Sequence, residues 1–523
     1  MPGDRTADVR AEDIKTVAID GDTLSIPEVV AVARYMAKVT VSKKVLDKVR
    51  KNRKVVEAII KEGKVSYGIN TGFGDLCKVV ISPEEVSLLQ QNIILSHAAA
   101  TGHPHHRETV RAILLLRANG LAKGMSGVRP VLIETLVEML DKGVHPLIPE
   151  KGSLGASGDL APLAHMTLVM LGEGEAFVKG ERLLGGTAME RAGIKTLTLE
   201  AKEGLALING TQVMTAMAAL GLYDSRRLLK VADVAGIMSL EGLKGTDRHF
   251  DERIHMARPH TGQLAVAENM RRLTVDSAIV ASHRDCPKVQ DAYTLRCMPQ
   301  VHGATRDAID HVSKIVTTEL NAATDNPLVF TDEGDSISGG NFHGQPVAIA
   351  MDFLCIAIAE LANISERRIE RLLNHNISNL PPFLTDKGGL NSGLMIAQYT
   401  AASLVSENKI LSHPASVDSI PVSASQEDHV SMGTTAARKA VQVVENVTHV
   451  LATEVLCAAQ ALDYYVPELL PGKGILSAHA MVRELVPHLD HDRLLIQDVR
   501  TVKALVVSGR LVEAVEGAIG PLR

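Results

Sequence analysis

The 523-residue chain has no tryptophan and only seven tyrosines and seven phenylalanines, so its core must be aliphatic. Cysteines are few and odd in number: Cys77, Cys286, Cys297, Cys355 and Cys457. None forms a C-x-x-C pair, which argues against a disulfide framework and against a zinc site; reduced thiols in a cytoplasmic protein are the simple reading. Positive charge is not in excess, because 55 Lys and Arg face 61 Asp and Glu for a formal net charge of −6. No basic cluster suggests nucleic acid as a partner. The opening residues MPGDRTADVRAEDIK lack an apolar run of the kind a signal peptide needs. The longest charge-free stretch, 204–223, contains Asn209, Thr211 and Gln212, so a buried helix is expected there and no membrane span. Repeats and low-complexity segments are also missing. Among the 20 histidines, His103, His105 and His106 crowd around Pro104, a spacing that suits an exposed turn better than a tetrahedral metal site.

What the chain does have is 46% hydrophobic and 22% charged residues, the balance of a soluble globular protein large enough for two or three domains. Residues 1–22 read as a flexible tail. Residues 23–220 form an N-terminal region interrupted by two glycine-rich loops, 65–78 (VSYGINTGFGDLCK) and the GSLGASGD string. Between those loops, 86–122 is helical in pattern, with a stop expected at Gly120. Residues 221–465 read as a bundle of long helices, and 466–523 as a C-terminal helical region. In 346–373, Val347, Met351, Leu354, Ile358 and Leu361 step by four and three, keeping one stripe toward a neighbour. In 435–462, Val441, Val444, Leu451, Val455 and Leu462 do the same; 394–411 is a third candidate. Ile349, Cys355 and Ile356 lie off the main stripe, which predicts burial on more than one side and association of subunits through the bundle. Strand signals are weak and short, as at 182–184.

The chemically unusual string is GSLGASGDLAPLAH, 152–165. Ala-Ser-Gly can condense with itself. Gly158 has no Cβ, so its nitrogen can fold back onto the Ala156 carbonyl at low steric cost. Ser157 can then lose its hydroxyl as water, leaving a methylidene. The product is a carbon electrophile of a kind that ordinary side chains do not supply. This string resembles the signature of the aromatic amino acid ammonia-lyases, whose prosthetic group is 4-methylidene-imidazol-5-one (MIO). The resemblance implies an MIO formed autocatalytically from Ala156, Ser157 and Gly158, with Asp159 as an aid to cyclisation and no metal required. It also implies a mainly α fold: a large bundle of long helices with a loop-rich N-terminal head carrying the MIO, in an ammonia-lyase/fumarase-like architecture. The assembly it implies is a homotetramer with active sites composed from several subunits.

Other strings carry the same resemblance. Residues 67–74 (YGINTGFG) are similar to the family loop that bears the catalytic base, which would be Tyr67. An ordinary phenol has a pKa of about 10, so nearby positive potential is expected to lower it. Residues 290–297 (QDAYTLRC) resemble the QDxYxLR motif. There Arg296 would clamp the substrate carboxylate through its bidentate fork, Tyr293 would position the MIO region, and Gln290 would line the substrate site. Asn209 in LALINGTQ matches the asparagine that hydrogen-bonds the MIO oxygen. Asn326 in ATDNPLVF would contact the carboxylate side of the substrate, and Phe342 in GGNFHGQP would form a pocket wall.

Two places speak to the substrate side chain. Ser96 and His97, in IILSHAAATGHP, match the histidine-acting branch of the family, whereas the phenylalanine and tyrosine branches resemble Phe-Leu and His-Leu there. Glu427, in SQEDHVSMGTT, stands where those branches carry Gln. An imidazole has ring nitrogens for a carboxylate to pair with, whereas a phenyl ring would leave a buried Glu desolvated and alone. L-Histidine is therefore the expected substrate and trans-urocanate the expected product, the first step of histidine degradation. The alternatives are a phenylalanine or tyrosine ammonia-lyase and an MIO-dependent aminomutase. Ser425, in place of the Asn often found before QED, and Val213, in place of Ala, are small departures from the family pattern.

Overall fold

The computed structural model describes residues 10–284 and 288–523. Cys286 lies outside the described residues. The chain divides into two compact units that interleave along the sequence: the first contains residues 1–223, 313–352 and 414–438, the second 224–312, 353–413 and 439–523. The contiguous blocks expected from composition are therefore not how the chain divides. Four of the five boundaries fall inside long helices (Gln212–Gly242, Met298–Leu320, Gln345–Leu373 and Gly433–Leu462), where composition does not change, and the other, at 413/414, falls in the loop after helix Met395–Leu411.

Of the flexible tail expected over 1–22, residues 1–9 lie outside the described residues, while Ala11–Asp13 forms a helical turn and Thr16–Ile19 a strand. Thr16–Ile19 pairs in parallel with Lys38–Val41, and Val17 and Ile19 are buried. Alternation of apolar and polar residues over four positions was enough for a half-buried strand but too short to stand out. Next, Ser25 opens helix Ile26–Arg34 with a capping box: its N–H and hydroxyl both donate to Glu28, at 2.8 and 2.7 Å. The single helix expected over 86–122 is two helices, Val86–His97 and Arg107–Ala122. A strand at Thr101–Pro104, paired with Pro149–Lys151, separates them. Pro104 cannot donate to a helical ladder, which accounts for the break. Gly120, by contrast, is carried inside the second helix. The remaining sheets are equally short: Val144–Pro146, Glu175–Val178 and Glu181–Leu184 form an antiparallel trio, and Leu328–Phe330 pairs with Asp335–Ile337.

The long helices follow the apolar stripes. Val347, Met351, Leu354, Ile358 and Leu361 are all buried on helix Gln345–Leu373. On helix Gly433–Leu462 the stripe is buried except at Val441, which is 40% exposed. Off the stripe, Cys355 is buried while Ile349 and Ile356 remain exposed. Within the second unit an ion pair is buried among these aliphatic side chains: Arg368 Nη2 lies 2.9 Å from Glu454 Oε2, with Ser239 donating to Glu454 at 2.7 Å. A lone buried charge would be costly, and this pairing offsets that cost. Helix Gln345–Leu373 is the one helix among the described residues long and apolar enough to cross a membrane, and 72% of its apolar window is buried within the chain. Residues 466–523 hold helices Lys473–Leu485, Leu495–Ser508 and Arg510–Ile519.

Candidate active site

The Ala-Ser-Gly tripeptide sits in the first unit, on the loop entering helix Leu160–Met170. Gly158 has φ +77° and approaches Gly210 so closely that a Cβ on it would lie 2.1 Å from the Gly210 oxygen. No other residue type fits there. Around this contact the Gly210 N–H donates to the Ser157 oxygen at 3.2 Å, and the Asp159 N–H donates to the Gly210 oxygen at 2.7 Å. Asp159 is fully buried. Its carboxylate accepts from the backbone of Val213 and Met214, at 2.8 and 3.0 Å, at the start of helix Gln212–Gly242. Ser153 and Thr434 donate to its other oxygen. Burial pushes the Asp159 pKa up, while these donors pull against the rise. The surroundings thus hold Ser157 and Asp159 by hydrogen bonds.

Ser157, half-buried, opens onto a cavity of about 1020 Å³, near the upper end of small-molecule pockets. Of the residues singled out in the sequence, Tyr67, Ser96, His97, Ser157, Asn209, Asn326, Phe342 and Glu427 all line it. Ala156 and Gly158 flank Ser157. Tyr67 accepts a long hydrogen bond, 3.4 Å, from the Gly74 N–H. The expected lowering of its pKa is not found: burial raises it, and the Glu427 carboxylate raises it further. Glu427 is half-buried and its own pKa is raised by burial. His97 is kept toward its neutral form for the same reason, and its Nδ1 lies 3.1 Å from the Ser96 hydroxyl.

Asn209 and Asn326 are joined. The Asn209 amide nitrogen donates to the Asn326 carbonyl at 3.1 Å, which leaves Asn209 Oδ1 buried with no partner. Asn326 Oδ1 accepts from Ser338 and from the Gly339 N–H, at 3.0 and 2.8 Å. An orphaned buried acceptor beside the tripeptide carries a desolvation cost, and its place in a cavity wall suits a polar ligand.

Gln290, Tyr293 and Arg296 are not among the lining residues; they belong to the second unit. Gln290 is exposed, Tyr293 is 71% exposed, and the Arg296 guanidinium stacks 4.5 Å over the Tyr293 ring with its Nε unpartnered. Sequence reading also missed Leu89, Asn92 and Ile93, which line the cavity together with Ser96. Their spacing over one face of helix Val86–His97 was the available signal. Among the described residues no group of three His, Cys, Asp or Glu could hold a metal.

The described cysteines, Cys77, Cys297, Cys355 and Cys457, are free thiols. Residues 24–484 match the family model described as aromatic amino acid lyase. A histidine ammonia-lyase from Caldanaerobacter subterraneus subsp. tengcongensis is 58% identical over 503 residues, 96% of this chain and 99% of the relative. The crystal structure of histidine ammonia-lyase from Trypanosoma cruzi superposes with a TM-score of 0.90 at 43% identity, covering 96% of each chain. Tyrosine aminomutase from Streptomyces globisporus superposes with a TM-score of 0.92 at 37% identity, covering 97% of this chain and all of the other. With the match spanning most of its length, the chain belongs to the aromatic amino acid lyases.

Proposed function

We propose that the chain deaminates L-histidine non-oxidatively to trans-urocanate and ammonia. One observation carries this reading: a single cavity gathers Tyr67, Ser157, Asn209, His97 and Glu427. Overall the Cα–N bond and one Cβ–H bond break, a carbon–carbon double bond forms, and ammonia leaves. The MIO formed from Ala156, Ser157 and Gly158 would supply the electrophile that turns the amine into a better leaving group. The close fit of Gly158 against Gly210 and the hydrogen bonds to Ser157 and Asp159 support that assignment.

Tyr67 takes the β-proton, as the only phenol among the described residues on the cavity wall. Glu427 accepts the imidazole N–H and stabilises charge on the ring as the proton leaves. His97, held neutral, faces the ring with Ser96 orienting it. Asn209 would donate its second amide hydrogen to the MIO oxygen while the Asn326 carbonyl holds that amide in place, and Asn326 lies on the carboxylate side of the substrate. Phe342 walls the pocket. Arg296 holds the carboxylate in the cavity of a neighbouring subunit, where Tyr293 positions the MIO region and Gln290 lines the substrate site, within a homotetramer whose sites are composite. Its cationic charge would also oppose the rise that burial imposes on Tyr67. Exposed Ile349, Phe353 and Ile356 on helix Gln345–Leu373 provide apolar area for such an assembly. Free thiols accord with a cytoplasmic enzyme.

The aminomutase shares this fold closely, so product identity is the deciding measurement. The enzyme is incubated with L-histidine, L-phenylalanine and L-tyrosine, and each unsaturated acid is followed by ultraviolet absorbance. Urocanate from histidine alone is expected; a β-amino acid product would overturn the reading. Ser157→Ala is expected to lose nearly all activity while keeping its thermal transition and the mass of an uncyclised chain.

A further inference from the structure

We infer that Arg117 is a positioning residue for the self-processing of Ala156-Ser157-Gly158, an inference that rests on the MIO reading above. Arg117, on helix Arg107–Ala122, is 2% exposed. Its Nη1 donates to the carbonyls of Ala206 and Asn209, at 2.8 and 3.0 Å, and its Nη2 donates to the Gln212 side-chain oxygen. Among the described residues no carboxylate shares a hydrogen bond with it, although Asp325 and Asp159 act on it at longer range. A buried guanidinium is costly, and an aliphatic side chain would fill the same space more cheaply. What the guanidinium supplies instead is direction: a planar fork that fixes carbonyls on both sides of one short segment.

That segment is Asn209-Gly210, and it grips the tripeptide. Gln212 continues the brace by donating to Thr324 at 3.0 Å, and a Cβ on Gly210 would meet both Thr324 and Gln212 within 2.7 Å. Gly210 in turn donates to the Ser157 oxygen and accepts from the Asp159 N–H. Arg117 therefore acts on the tripeptide through Gly210, without touching it. Cyclisation joins the Gly158 nitrogen to the Ala156 carbonyl carbon. The Ala156 oxygen leaves as water with the amide protons of Gly158 and Ser157. The Ser157 hydroxyl then leaves as a second water with the Ser157 Cα proton, forming the exocyclic alkene. Neither loss needs a co-reactant. Both need the Ser157–Gly158 backbone held in one geometry, because a misplacement on the order of 1 Å slows a reaction about a hundredfold.

The test uses the full-length enzyme and intact mass, with thermal unfolding as the check on the fold. Arg117→Met is expected to fold yet to lose its two waters about a hundredfold more slowly than the parent chain. Arg117→Lys, which keeps a charge and a donor, is expected to recover part of that rate. Gln212→Leu removes one of the three acceptors and is expected to mature at an intermediate rate. It decides the matter if Arg117→Met fails to fold. Maturation of folded Arg117→Met, or of Gln212→Leu, at the parental rate overturns the inference. A parent enzyme that is active with both waters retained overturns the MIO reading itself, which keeps the two failures distinguishable.

Discussion

At the level of single residues, Tyr67 and Glu427 set a problem for each other. A general base works when deprotonated, yet burial and the neighbouring carboxylate both hold the Tyr67 proton on. On the reading proposed above, Glu427 pairs with an imidazole N–H once substrate is bound. Replacing the carboxylate with a neutral amide therefore has two separable consequences. Glu427→Gln is expected to cut histidine turnover about a hundredfold or more, the usual scale for a lost acid–base partner. The second consequence concerns pH. A negative neighbour disfavours phenolate, so removing it lowers the Tyr67 pKa, and the ascending limb of kcat/KM moves to lower pH. Steady-state kinetics of the parent and variant across neutral to alkaline pH would show this. An unmoved limb would uncouple the two side chains.

Elements were read with uneven success, and the reasons are physical. The stripe of helix Gln345–Leu373 was visible because five aliphatic residues at steps of three and four can serve little else. The loops around the cavity carry no such period. Their residues were legible only through chemistry, as at Ser157 and Tyr67, and their contacts were not legible at all. The approach of Gly74 to Ser423 is an example. Gly74 lies on the Tyr67 loop with φ +56°, and a Cβ on it would meet the Ser423 hydroxyl at 2.6 Å. Ser423, Ala424 and Ser425 are themselves three consecutive left-handed residues in the turn that presents Glu427. That turn is closed by paired hydrogen bonds between Val422 and Glu427, at 3.0 and 3.3 Å. Such a run costs roughly 1–3 kcal/mol per residue and persists only where surroundings enforce it. Gly74→Ala should therefore destabilise the chain and raise KM for histidine, through both strain and the clash. Ser423→Ala, which deletes the offending oxygen, should recover part of the loss. The Gly74→Ala/Ser423→Ala cycle is expected to show a coupling of about 1 kcal/mol in thermal unfolding, against near-zero for sites without contact. Strict additivity would show that the two loops do not bear on one another.

For the whole molecule, the interleaved division explains why linear reading placed domain boundaries wrongly. Residues 313–352 return to the first unit from within a long helix and 414–438 from the loop after helix Met395–Leu411, and each return carries site residues: Asn326 and Phe342 in one, Glu427 in the other. A chain built this way distributes its buried titratable groups across distant segments, yet all of them contribute to one stability profile. Two histidines make the consequence measurable. His105 and His145 are held neutral by burial, each with a pKa lowered from 6.5 to about 4. Nearby Arg438 and His106 lower His105 further, against the pull of Glu150, and Arg111 and Arg107 lower His145. In the unfolded chain both would take up a proton near 6.5, whereas the folded chain resists until about 4. Between those values the unfolded state binds more protons, so stability falls as pH falls through this window and is fully present above it. His145 accepts from buried Arg111, so its removal would disturb a second group. His105, whose Nε2 has no partner among the described residues, is the cleaner site. His105→Gln should leave the melting temperature at neutral pH little changed and make its decline toward pH 4 shallower than in the parent chain. Parallel declines in the two proteins would mean that His105 takes up its proton as readily when folded as when unfolded.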